Sequence, residues 1–291
     1  MIYDVSHRTT FEYAHSVSVS HQVLHLAPRP HARQRVTRES VVVDPTPIVR
    51  DERTDYFGNP VTYLTIQEPH QRLSVSSQFR VEVLAAPGPG FDLSPSWERA
   101  ATVLQMPEGA EAIAASQFVF ASPYVTWSGE VREYAIESFS AGTPLLSGVR
   151  ALTARIFDEL EYEGNVTDVW TPVQQVLAER RGVCQDFAHL EIACLRSLGL
   201  AARYVSGYLR THPPEGKEKL VGADASHAWI AVWCPHTGWI EFDPTNDVVP
   251  DNEHITVSWG RDYGDVSPIN GFIVGGGDHV VSVGVDVRPV G

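Results

Sequence analysis

The feature that most limits how this chain can fold is a change of hydrophobic period along its length. In the first ninety residues, apolar and polar side chains alternate at period two, the spacing that puts one face of a β-strand into a core. VSHRTTFEYA, VSVSHQVLHLAPR, RVTRESVVVDP, VTYLTIQE and LSVSSQFRVEVLA share this pattern and are rich in β-branched residues. Turn chemistry separates them at DPTP (44–47), DYFGNP (55–60) and EPHQ (68–71). From residue 128 the period becomes helical in SGEVREYAIESFS, SGVRALTARIFDELEY, TPVQQVLAERR and the segment opening at Cys184. Ser128, Ser147 and Thr171 suit N-caps, and Gly199 suits the end of the last helix. Strand-like stretches then return: AARYVSGYLR, HAWIAVWC, GWIEFDP, HITVSWG and VVSVGVDVRPV.

This order predicts an α+β chain. Residues 1–90 are expected as an N-terminal antiparallel β-sandwich domain, 91–127 as a linker and 128–291 as a catalytic domain. The Gly-, Pro- and Ser-rich stretch APGPGFDLSPSW (86–97) marks the boundary.

A balance of 22 Lys+Arg against 36 Asp+Glu, net −14, argues against nucleic acid or an anionic membrane as partner. No apolar run approaches the length of a membrane span. The N-terminus lacks a basic region followed by an apolar one, so a cytoplasmic location is expected. The three cysteines, Cys184, Cys194 and Cys234, form no C-x-x-C pair and no disulfide framework. His21, His25 and His31 lie in an Arg- and Pro-rich segment and read as a solvated strand and loop, not as metal ligands. With no helical H-x-x-x-H, phosphate loop, dinucleotide motif or calcium-binding loop, no metal or cofactor is expected.

Cys184 stands apart from the other two thiols. It follows Gly-Val at the start of a helix whose apolar stripe runs through Phe187, Leu190, Cys194 and Leu198. Unpaired N–H groups and the helix dipole in a first turn favour a thiolate, and the same amides can bind an oxyanion. Gly182 would allow the close approach of a substrate carbonyl. Cys194, on the apolar stripe, is expected in the core, and Cys234 is assigned to structure.

A nucleophilic cysteine needs a base, and the base an orienting group. HAWIAVW and GWIEFDP read as a hairpin closed by PHTG, with His227 opening the first strand and Asp243 ending the second. A regular two- or four-residue loop would put these two side chains on opposite faces. A three- or five-residue loop, or a bulge, is therefore required if Asp243 is to orient His227. His189, five residues after Cys184, points elsewhere and is expected in a structural hydrogen bond; His212 and His236 are expected in solvated loops.

The stretches GVCQDFAHL, ARYVSGYL, ASHAWIAVW, WIEFDPTN and HITVSWGRDYGDVSPINGF, with LAPRP and DYFGNP earlier, resemble the transglutaminase-like superfamily in its bacterial cysteine-protease-like branch. The resemblance implies a papain-like core with the cysteine helix packed on an antiparallel sheet. It implies Cys184 as nucleophile, His227 as general base and later acid, and Asp243 as the orienting carboxylate. The chemistry implied is attack on a peptide or carboxamide carbonyl through a thioester. Water as acceptor makes a peptidase or amidase; an amine makes a transglutaminase or ligase. A non-catalytic protein-binding module remains the alternative from another class. The backbone N–H of Cys184 is the natural first oxyanion donor, with Gln185, Trp170 or Tyr162 as candidates for the second. Gly260-Arg261-Asp262-Tyr263 either lines the cleft or forms an ion-paired turn. The expected partner is a peptide or protein substrate.

Overall fold

The computed structural model describes residues 1–85, 88, 90–164, 167–211 and 226–290. His212 and the rest of its loop to residue 225, and residues 86, 87 and 89 of the 86–97 stretch, lie outside the described residues.

The alternating N-terminal segments form one antiparallel sheet, not the two layers of a sandwich. Its seven strands include β1 (Ile2–Leu24), β2 (Gln34–Asp44), β3 (Val49–Thr54), β4 (Pro60–Ile66) and β5 (His70–Val83), in the order β2-β5-β1-β4-β3. β1 is continuous where the sequence suggested two strands. Its register shifts between Glu12 and Val17, so the part before the bend pairs with β5 and the part after it with β4. Alternation reveals a buried face but not what covers it, which is why a second N-terminal layer was a natural but mistaken expectation.

The helical half begins earlier than expected. Residues 91–127, expected as a linker, contain α1 (Trp97–Gln105) and α2 (Gly109–Ser116), which bury Ala100, Ala101, Leu104, Ala112 and Ala115. α3 (Gly129–Ile136) starts at the Ser128 cap, whose side chain accepts from the Val131 N–H. α4 (Leu145–Glu159) starts two residues before Ser147, which instead donates to Asp92 Oδ1 at 2.9 Å. β6 (Glu161–Tyr162) leads to α5 (Val173–Glu179), with Pro172, not Thr171, in the cap position. β7 (Arg181–Gly182) pairs with β6 in parallel and runs into α6 (Cys184–Ser197). Gly199 follows in the left-handed region, φ 78°, the conformation that ends a helix at low cost for glycine.

α6 is more deeply placed than an amphipathic stripe implies: every residue from Asp186 to Ser197 is buried. Its polar members find partners on other elements, as His189, Glu191 and Arg196 show below, although Glu191 Oε2 is buried without a hydrogen-bond partner among the described residues. α6 packs on a second sheet of β8 (Ala202–Leu209), β9 (Ser226–Cys234), β10 (Gly238–Phe242) and β11 (His254–Gly260), ordered β10-β9-β8-β11. Ala228, Ile230 and Val232 join Ala202 and Tyr204 against the helices.

The last two strands, β12 (Ile269–Gly275) and β13 (His279–Pro289), leave that region and pair with β1 in the first sheet. The two ends of the chain thus build one sheet. It packs Tyr3, Val5, Phe79, Val81, Val285 and Val287 against Tyr208, Ile255 and Val257 of the second sheet. Two amides seal the seam. Gln34 donates to Thr256 O at 2.7 Å and accepts its N–H at 2.9 Å; Asn59 does the same to Trp259 at 2.8 and 3.0 Å. β11 is an edge strand whose register shifts between Thr256 and Ser258, so these side chains take the place of a neighbouring strand. Arg29 reinforces the contact, bonding Asn59 Oδ1 and stacking 3.4 Å over the Trp259 ring. The LAPRP and DYFGNP segments therefore hold the second sheet in place through Arg29 and Asn59. No helix among the described residues is long and apolar enough to cross a membrane.

Candidate active site

Cys184 is the first residue of α6. The first bonds of that helix run from the Asp186 and Phe187 N–H groups to Val183 O, leaving the N–H groups of Cys184 and Gln185 unclaimed by the helix. Asp186 reaches back to the Val183 N–H at 2.8 Å and accepts from Thr167 Oγ1 at 2.7 Å, the returning half of a capping box. This gives Gly182 a different role from the one expected. A Cβ there would lie 2.8 Å from Asp186 Oδ2 and 2.9 Å from its Cβ, so glycine makes room for the cap residue.

The hairpin meets the condition set by its sequence. Cys234 pairs with Gly238 and Trp233 with Trp239, closing a three-residue loop, Pro235-His236-Thr237, with positive φ at His236 and Gly238. Odd positions therefore face odd positions, and His227 and Asp243 come together with Nε2 to Oδ2 at 2.7 Å.

Asp243 is completely buried and is the hub of the site. Its Oδ1 accepts the backbone N–H groups of Thr245 (2.9 Å) and Asn246 (3.3 Å). Its Oδ2 accepts from His227, from Asn246 Nδ2 at 2.7 Å and from His254 Nε2 at 3.0 Å. Burial pushes the acid up, but the bonds to both histidines outweigh it and hold Asp243 well below the usual carboxylate range. An ionised carboxylate only accepts, so both histidines carry their proton on Nε2. The nitrogen left on His227 for Cys184 is Nδ1. Burial works against a charged His227, yet the bonds to Asp243 and Cys184 raise it to about 10.

Cys184 and His227 open into a cavity of about 360 Å³ with Tyr162, Leu209, Thr211 and Asn246 in its wall. Of the candidate second oxyanion donors, Tyr162 is in that wall. The Gln185 side chain instead donates to Val169 O at 3.3 Å, and Trp170 is 70% exposed and stacked on Tyr124 at 4.8 Å. Cys194 and Cys234 are fully buried, and burial pushes the Cys194 thiol far up. His189 is a structural acceptor: its Nε2 takes the Tyr263 N–H at 3.2 Å, and burial pulls it down to about 3. Arg261 pairs with Asp265 at 2.9 Å, so the Gly260–Tyr263 stretch is an ion-paired turn. His21, His25 and His31 contact Thr65, Ser267 and Trp259 respectively, far apart in their partners.

Sequence reasoning missed His254 and Asn246. Asn246, three residues after Asp243, could have been suspected from the Asp-Pro-Thr-Asn turn. Nothing in the spacing of His254 signals its contact. Among the described residues, His227, Asp243 and His254 are also the group of ligand-type atoms that lie within 4.8 Å of one another. Because Oδ2 already accepts three N–H donors, the cluster reads as a hydrogen-bonded network.

Residues 3–82 match the bacterial transglutaminase-like N-terminal region, and residues 132–244 match the transglutaminase-like superfamily core. An uncharacterised Mycobacterium tuberculosis protein is 40% identical over 295 residues, covering 99% of this chain and 92% of that protein. The chain belongs to the transglutaminase-like superfamily. An uncharacterised Mycobacterium leprae protein is 32% identical, with 97% of each chain covered. A solved structure of a candidate cysteine protease from Cytophaga hutchinsonii superposes with a TM-score of 0.77 at 24% identity, over 99% of this chain and 90% of that one. This likeness shows that the two chains share a fold over both sheets. A protein-glutamine gamma-glutamyltransferase of Pseudomonas aeruginosa is 38% identical over 73 residues, 25% of this chain and 11% of that protein.

Proposed function

We propose that the protein is a thiol-dependent hydrolase or acyltransferase acting on peptide or carboxamide bonds, a cysteine peptidase or amidase in its hydrolytic form. One observation carries this reading: Cys184, at a helix start, shares a cavity wall with His227, whose Nε2 is held at 2.7 Å by a buried carboxylate. The Cys184 thiol gives its proton to His227 Nδ1, its sulfur attacks the substrate carbonyl, and the unclaimed N–H groups of Cys184 and Gln185 receive the developing oxyanion. His227 Nδ1–H protonates the departing amine, leaving a thioester on Cys184. His227 Nδ1 then takes a proton from the incoming nucleophile, the tetrahedral intermediate collapses, and the thiolate leaves. Asp243 keeps the proton on Nε2 throughout and stabilises the imidazolium.

Water as the nucleophile completes hydrolysis. An amine acceptor would make the protein a transglutaminase or ligase, a second reading favoured by the local similarity to the Pseudomonas gamma-glutamyltransferase. Both readings share the thioester.

The test is the rate at which iodoacetamide alkylates Cys184, followed by peptide mass mapping, because Cys194 and Cys234 are buried. His227→Ala should slow the reaction by about 100-fold near neutral pH. Equal rates in the two proteins would remove the Cys–His pair and leave the binding-module reading in front.

A further inference from the structure

Asp243 is unusual in how its charge is kept. Its ion-pair partners among the described residues are both histidines, His227 and His254, with side chains 8% and 6% exposed. No arginine or lysine is recorded in an ion pair with it among the described residues, although it is buried completely. A carboxylate in such a place gains a proton unless donors hold it ionised. A protonated Asp243 would compete for the bond it must accept from His227. The backbone N–H groups of Thr245 and Asn246 occupy Oδ1, so the oxygen facing His227 depends on side-chain donors for its support.

We propose that His254 is a positioning residue for the reaction: its Nε2–H keeps Asp243 ionised and oriented, so that His227 Nδ1 stays directed at Cys184. This rests on the triad reading above. The ring is held for that task. It meets Trp229 edge-on at 5.2 Å, and Trp229 in turn stacks on His227 at 5.9 Å, so one indole fixes both imidazoles around the carboxylate. The strand position is fixed as well, since His254 pairs with Leu209 of β8. Asp243 and His227 face it from the β9–β10 hairpin. Arg210, just past β8, pairs with Glu253 at 3.3 Å, and Asp251 accepts the His254 N–H through its carbonyl. Asp243 is thus the ion-pair partner recorded for the His254 ring.

The expected effect has a definite sign. Removing the donor loosens the Asp243 charge and its orientation and so weakens its support of the His227 imidazolium, and the Cys184–His227 pair then loses its reactive form at a higher pH as the solution is acidified. The acid limb of Cys184 alkylation by iodoacetamide, measured from pH 4 to 8, should move up by about one pH unit in His254→Phe. His254→Gln keeps an N–H donor within reach of Oδ2 and should return the limb close to its wild-type place. A purely structural role would lower the melting temperature of both variants while leaving the limb unmoved, and that result overturns the proposal. His227→Ala is the control that separates failures. If it leaves alkylation unchanged, the triad reading falls; if it slows alkylation while His254→Phe leaves the limb in place, only the role of His254 falls. The wild-type protein supplies a test that needs no variant. Spectra of ¹⁵N-histidine-labelled protein must show His254 carrying its proton on Nε2, and an Nδ1–H tautomer there would overturn the proposal.

Discussion

Asp243→Asn is expected to lower the rate of Cys184 acylation by about 10⁴-fold, the loss seen when an orienting aspartate is made an amide. The amide has nearly the same shape, so the effect must come from proton placement. Asp243 accepts from His227, Asn246 and His254 through one oxygen and from two backbone N–H groups through the other. An asparagine must turn an NH₂ toward one of these donor sets. Facing His227, it forces the proton from Nε2 to Nδ1 and removes the base from Cys184. Facing the backbone, it breaks the turn that sets the carboxylate's position. Acylation by an activated ester, timed by the release of its leaving group, checks the expectation. A variant within tenfold of wild type would show that Asp243 is a turn residue only.

The second large effect concerns stability. Arg196 lies near the C-terminal end of α6, 2% exposed, and donates to Ala202 O at 2.9 and 3.2 Å, Phe120 O at 3.1 Å, Ser122 Oγ at 3.1 Å and Arg261 O at 2.6 Å. Burial pulls its guanidinium below the usual arginine range, while Asp262 works in the opposite direction. Arg196→Leu fills much of the space but leaves several buried acceptors without donors. The expected cost is on the order of 4 kcal/mol, seen as a fall of about 10 °C in thermal midpoint. The segments it ties together, around residues 120, 202 and 261, should also gain hydrogen exchange first. A shift of less than about 2 °C would mean that water replaces the guanidinium at those carbonyls.

What the sequence made legible follows from which signals are local. Loop length alone decides which residues of a hairpin share a face, and Pro235-His236-Thr237 supplies the odd count that brings His227 and Asp243 together. Cys184 stood out through its place at a helix start, a local property too. Long-range closure was hidden. Nothing in VVSVGVDVRPV says that it will pair with the first strand of the chain, so the shared sheet of β1, β12 and β13 could not be read. Nor could Gln34 and Asn59 be seen as substitutes for a strand beside β11.

Polar residues in a central helix were equally hard to read. By periodicity His189 and Arg196 fall opposite the apolar stripe of α6 and Glu191 falls beside it, but all three are buried. Glu191 accepts from Thr153 Oγ1 at 2.6 Å, and burial pushes its acid up to about 8. Their partners lie on other elements, in contacts that no spacing rule encodes. The same holds for His254, eleven residues on, which reaches Asp243 from β11, at the opposite edge of the sheet from β10.

The most direct test of the whole account is the covalent intermediate. The protein would be mixed with p-nitrophenyl acetate, quenched in acid, and read by intact mass and peptide mapping, with and without an added primary amine. The account predicts an acetyl group on Cys184 in the wild type, none at that position in Cys184→Ala, and slow formation in His227→Ala. Faster release by the amine than by water would favour transfer over hydrolysis. Ester turnover that survives unchanged in Cys184→Ala, with no acyl group ever found on Cys184 in the wild type, would contradict it.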